Sequence, residues 1–146
     1  NLMPKLVKKF PNLKLVLTGG GYKEKRNFLM NVGIVSKQVL LNLISGSKMM
    51  VVPINKGTGT RIKIIEALLV GSRIITTKKG IEGIIIKKNQ SIIICNKKYF
   101  FKNIIKNLNT NKRNKVSKFY YKNYIMEEIL KKFLENKNVK NIFKTN

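Results

Sequence analysis

Short apolar runs alternate with stretches in which apolar residues recur every three or four positions, and this alternation carries most of the structural information. Leu2, Leu6, Val7 and Phe10 have helical spacing and predict that residues 1–10 finish a helix. Pro11 and Asn12 turn the chain into a strand over residues 13–18, and Gly19-Gly20-Gly21 leaves it. A helix is expected over residues 22–30 and a short strand over residues 32–35. Ser36 is the expected N-cap of a helix running to Ile44, with Val39, Leu40, Leu43 and Ile44 inward. Residues 49–52 form an apolar run that Pro53 ends, as a buried strand stops where no further backbone donor is needed. Later come a strand over residues 73–77, another over 91–95, a helix over 99–108, a polar connector over 109–115 and a helix over 116–135. Five strands alternating with helices predict an α/β fold with a parallel sheet.

The most informative stretch joins the run at 49–52 to the strand at 73–77. Its loop, Asn55-Lys56-Gly57-Thr58-Gly59-Thr60, carries two glycines that let the backbone turn sharply, and a helix opens near Arg61. The first N–H groups of that helix lack partners within it, so an anion such as phosphate suits its start. At about 100° per residue, Ile62, Ile64, Ile65, Leu68 and Leu69 fall on a broad apolar side. Lys63 and Glu66 fall on the other, so Glu66 is expected to point away from the core. It lies roughly 8 Å beyond the helix start, which suits a carboxylate gripping the ribose of a nucleotide whose phosphates rest at the N-terminus. A surface ion pair with Lys63, worth only a few tenths of a kcal/mol, explains the same spacing. Gly71 is the expected helix stop. The loop 78–83 has glycines that suit either a turn or a ligand.

The run P-x-x-x-G-T-G-T-R-I-K-I-I-E-A-L-L-x-G, followed by T-x-x-G-I-E-G, resembles the donor-binding segment of group 1 glycosyltransferases, family 4 of the carbohydrate enzymes. The resemblance extends from residue 10 to about residue 124. It implies the GT-B fold, two Rossmann-like domains around a cleft, with this chain forming the C-terminal, nucleotide-sugar-binding one over residues 1–135 and a frayed tail over 136–146. The implied reaction is transfer of a hexose from a nucleotide-diphosphate sugar to an acceptor. Glu66 matches the glutamate that binds the ribose in that family. Thr58 stands where the family usually has a second glutamate facing the hexose, and is the catalytic candidate. Gly57, Gly59, Thr60, Arg61 and Lys63 would hold the donor phosphates. The base would lie near Gly33, Ile34 and Val35, with Gly19, Gly20 and Gly21 as weaker candidates bordering the site. The family domain has six strands in the order 3-2-1-4-5-6. The present chain is expected to lack the first, together with the acceptor domain, and to be inactive alone.

Composition narrows the chemistry. Lys and Arg number 31 against 6 Asp and Glu, a formal net charge of +25, which ordinarily points to a polyanion. Here the lysines are scattered through every segment and accompany many Asn and Ile residues. All three have A/T-rich codons, so drift in nucleotide composition is the preferred explanation, and nucleic acid is not expected as a specific partner. Nonspecific attraction to RNA or anionic lipid follows physically either way, so peripheral contact of a cytoplasmic protein with a membrane is the expected location.

With no His and no Asp, the chain supplies neither a histidine triad nor a histidine zinc site. No metal or resident cofactor is expected; the nucleotide sugar is a substrate. No apolar run approaches the roughly 20 residues that span a bilayer, and Cys95, a lone cysteine, reads as a small buried hydrophobe. A polyanion-binding module, a non-catalytic glycosyltransferase remnant and a sugar-nucleotide epimerase are the competing readings.

Overall fold

The computed structural model describes residues 2–57, 61–87, 92–110 and 118–124. In chain order they form α1 (Leu2–Lys9), β1 (Leu15–Leu17), β2 (Leu29–Asn31), α2 (Lys37–Gly46), β3 (Met50–Val52), α3 (Ile62–Leu69), β4 (Ile74–Thr76), β5 (Ile92–Ile94), α4 (Phe100–Leu108) and α5 (Lys118–Tyr124).

All strand pairs among the described residues are parallel. β4 lies between β3 and β5, with Ile74 opposite both Met50 and Ile92. β1 pairs with β2, Leu15 opposite Leu29, in a separate two-stranded sheet. Strand side chains alternate between faces, and β4 shows the consequence. Ile74 packs with Leu40, Ile44, Ile64, Leu68 and Tyr120 of α2, α3 and α5, whereas Ile75 packs with Leu6, Phe100 and Ile104 of α1 and α4. Helices therefore cover both faces of the three-stranded sheet, and β4 is buried along its whole length. Parallel sheets flanked by helices form the Rossmann-like α/β arrangement of a GT-B domain.

The helix ends have identifiable chemistry. Ser36 Oγ accepts from Val39 N at 3.3 Å and caps α2. Gly71, at φ +67°, ends α3; its N–H reaches Leu68 O at 3.2 Å while Ser72 N reaches Ala67 O at 2.8 Å, the paired bonds of a Schellman motif. The buried Arg73 sends its guanidinium across to Asn107 O at 2.5 Å and Thr110 O at 3.3 Å, satisfying carbonyls at the end of α4.

Three expectations need correction. Residues 22–30 do not form a helix: after Gly19 and Gly21, both at positive φ, side chains satisfy the local polar groups instead, Tyr22 Oη donating to Glu24 at 2.6 Å and Asn31 Nδ2 donating to Tyr22 O at 2.7 Å. The second strand is accordingly Leu29–Asn31, held beside β1, and not residues 32–35. On α2, Val39 is exposed because Leu40 and Ile44 alone reach the core fully. Of the expected helix over 116–135, residues 118–124 are helical. Residues 116, 117 and 125–135, most of the polar connector and the tail expected to fray all lie outside the described residues.

Candidate functional site

Each loop singled out in the sequence follows the carboxyl end of a strand, where open parallel sheets bind ligands. At the ends of β1 and β2, Gly19 N donates to Gly33 O at 2.7 Å, and Gly33, at φ +66°, donates its N–H to Asn31 Oδ1 at 3.1 Å. The triple glycine and the candidate base region are therefore neighbours. Val35 packs onto the core, while Ile34 is 87% exposed. A β-carbon at Gly19, Gly20, Gly21 or Gly33 would meet nothing within 4 Å, so backbone conformation rather than crowding selects glycine at 19, 21 and 33.

At the end of β3 the chain bends at Gly57, φ +107°, and Arg61 Nη2 donates back to Gly57 O at 2.8 Å. Thr58, Gly59 and Thr60 lie outside the described residues. Arg61 occupies the N-cap position of α3 without a side-chain cap hydrogen bond, and the first turn holds no acid. The amino end of α3 thus combines the helix dipole with the Arg61 and Lys63 charges, an arrangement that favours an anion.

Glu66 departs from expectation. It is buried, 8% exposed, rather than pointing to solvent, and Ile62 on the expected apolar side is 62% exposed. α3 packs against α2 and α5 as well as the sheet, so its second turn is covered where a solitary amphipathic helix would meet water. Glu66 Oε2 stands 3.1 Å from Lys63 Nζ, a largely exposed ammonium, yet accepts no hydrogen bond among the described residues. The pair is an electrostatic contact without hydrogen-bond geometry. Oε2 is enclosed by its surroundings, and the Lys63 ammonium is its charge partner.

Two threonines, neither given a role by the sequence, stitch the neighbouring loops together. Thr76 Oγ1 donates to Val52 O at 2.9 Å, and Thr77 Oγ1 donates to Ile54 O, which ties the end of β4 to the end of β3. Gly80 N then donates to Thr77 Oγ1 at 3.1 Å. A short 3-10 turn at Lys79–Ile81 follows, and Lys79 pairs with Glu82 at 2.5 Å. That hydrogen bond, the Lys79 charge and the more distant Arg61 charge hold the exposed Glu82 carboxyl below its ordinary range. Thr77 opens the T-x-x-G motif and Thr76 precedes it, which was the available sequence clue.

No three His, Cys, Asp or Glu side chains come together among the described residues in a way that could hold a metal ion. None of the described helices is long and apolar enough to cross a membrane.

These features define a Rossmann-like domain whose described candidate ligand groups lie on loops after parallel strands and on the first two turns of α3. The sequence profile of the family described as Glycosyl transferases group 1 matches residues 1–110, and the chain belongs to that family. Glycosyl transfer is the chemistry of the class. No curated protein matches the chain.

Proposed function

We propose that this chain is the donor-side part of an enzyme that transfers a hexose from a nucleoside-diphosphate sugar. The observation that carries the proposal is the cationic, acid-free amino end of α3, with the Glu66 carboxylate in the next turn of the same helix. A ribose offers two hydroxyl donors to such a group, and hydrogen bonds to a charged acceptor are worth about 1.5–3 kcal/mol. In this reading the diphosphate rests on backbone N–H groups from Gly57 through Gly59 to Thr60, with Arg61 or Lys63 adding charge. Thr58 touches the hexose, and Gly33, Ile34 and Val35 border the base. The leaving diphosphate is stabilised electrostatically by these groups, with no metal supplied by this chain. An acceptor domain on another part of the enzyme completes the cleft.

Calorimetric titration of nucleoside diphosphates, their 2′-deoxy analogues and their hexose conjugates tests the reading. The ribonucleotides should bind better than the deoxy forms, and Glu66→Gln should erase that difference by lowering ribonucleotide affinity about tenfold or more. Equal affinities in the unsubstituted chain would remove the ribose assignment.

The charge of +25 supports a second reading, a polyanion-binding module. It predicts affinity that falls steeply with salt, ignores the nucleotide and survives loss of Glu66.

A further inference from the structure

The two helical layers differ in how their charge is sorted. α1 and α4 pack against each other on one face of the β3–β4–β5 sheet through Leu6, Phe100 and Ile104. Outward from that contact, Lys5, Lys8 and Lys9 of α1 and Lys102 and Lys106 of α4 are all exposed, as are Lys97 and Lys98 in the turn leading into α4. None of these seven takes part in the ion pairs found among the described residues, which use Arg26, Lys63 and Lys79. Neither helix nor the turn contains an acid. The acids of the described residues, Glu24, Glu66 and Glu82, lie on the loop before β2, on α3 of the opposite layer and on the loop after β4.

We infer that the α1–α4 face is a docking surface for an anionic lipid bilayer, an interaction independent of the site around Glu66. What points to a surface is the number of lysines gathered on one layer, seven exposed there against Lys37, Lys63 and Lys122 on α2, α3 and α5 among the described side chains. The composition of the face favours a diffuse planar charge. Its cations are all lysines, compact and strongly hydrated, without the guanidinium forks that grip single phosphates or base edges. Tyr99, 48% exposed beside Lys98 Nζ at 4.9 Å from its ring, adds an amphipathic aromatic suited to the headgroup region. A lysine held near an anionic leaflet strengthens binding roughly fivefold.

The experiment is sedimentation of the 146-residue chain with vesicles of pure phosphatidylcholine and of phosphatidylcholine containing phosphatidylglycerol. Two variants of equal net charge accompany it. One carries Lys5→Gln, Lys8→Gln, Lys102→Gln and Lys106→Gln; the other carries Lys23→Gln, Lys25→Gln, Lys37→Gln and Lys78→Gln, all exposed and off this layer. Binding should require the anionic lipid, fall by at least about a hundredfold in the first variant and change far less in the second. Circular dichroism of both variants confirms that the fold is retained. Equal losses in the two variants would show that total charge governs binding and would overturn the inference. So would binding to the neutral vesicles alone, or tight binding of an RNA homopolymer to this face by a chain that ignores the anionic vesicles.

Discussion

Thr76 Oγ1 occupies the space that a side chain at Gly80 would need: a β-carbon built there would stand 2.0 Å from it, with Thr76 Cβ at 3.3 Å and Ile64 Cδ1 at 3.6 Å. Thr76 cannot swing aside without losing its bond to Val52 O. Gly80→Ala should therefore destabilise the fold by about 1–3 kcal/mol, the usual cost of overpacking a filled core. Thr76→Ala in the same chain should return part of that loss, a non-additivity measurable by denaturant titration of the single and double variants.

Tyr120 ties α5 to the chain leading away from β4. Its ring is fully buried in the larger core, and its hydroxyl accepts from Lys87 N at 3.2 Å, while Tyr124 Oη accepts from Ile85 N at 2.8 Å. Seven described residues of helix are too few to persist on propensity alone, so these contacts hold the segment. Tyr120→Phe should cost about 1–3 kcal/mol by stranding the Lys87 N–H, and Tyr120→Ala about 3–5 kcal/mol. Hydrogen exchange at Ile85 and Lys87 should quicken in both.

Burial of Glu66 predicts opposite effects on stability and on ligand binding. Removing a buried carboxylate in favour of an apolar side chain of similar volume is often neutral or stabilising, so Glu66→Met should leave the melting temperature of the free protein unchanged or raised. The same variant should lose the upward shift in melting temperature that a nucleoside diphosphate produces in the unsubstituted chain. A variant that melts earlier but still responds to the nucleotide would make Glu66 a structural residue.

The Tyr22–Glu24–Arg26 cluster sets a pH window for the loop before β2. The hydrogen bond from Tyr22, then that from Arg26 and the Arg26 charge, hold the Glu24 carboxyl below its ordinary value of 4.5. A depressed carboxylate favours the ordered loop above its unfolded pKa, and that preference fades as pH falls through the lower, folded value. Tyr22 is pushed above 10.0, chiefly by its hydrogen bond to Glu24, so its contribution is present below that value and is lost as pH rises through the higher one. NMR shifts of Tyr22 and Asn31 should therefore stay constant through neutral pH and move at both extremes, and Glu24→Gln should abolish the acid transition.

The alternation of β3, α3, β4, β5 and α4 was legible because each element carries its own period and is punctuated by a residue with one physical meaning, Pro53 after β3 and Gly71 after α3. The stretch 22–30 was not. Its Lys-Glu-Lys-Arg run has helix-forming side chains, yet Glu24 accepts from Tyr22 and Arg26 instead, and Leu29–Asn31 pairs with β1, a decision made by the partner strand. Glu66 was placed correctly along α3 but on the wrong side of the solvent boundary, since a helical wheel sees one neighbour and α3 has three. The turn at Gly57, at positive φ, was legible in its glycine, while the threonine bonds that fasten the loops at β3 and β4 depend on the register Val52 opposite Thr76, which no local pattern encodes.

The separation of β1–β2 from β3–β4–β5 means that, among the described residues, no ladder carries cooperativity from one sheet to the other. The smaller sheet, with every residue half-buried or exposed, should therefore open as its own unit. Amides of Val16 and Met30 would then trade protons with solvent long before that of Ile75, so the fold would begin to open at β1 and β2 while Leu6 of α1 stays packed in the core.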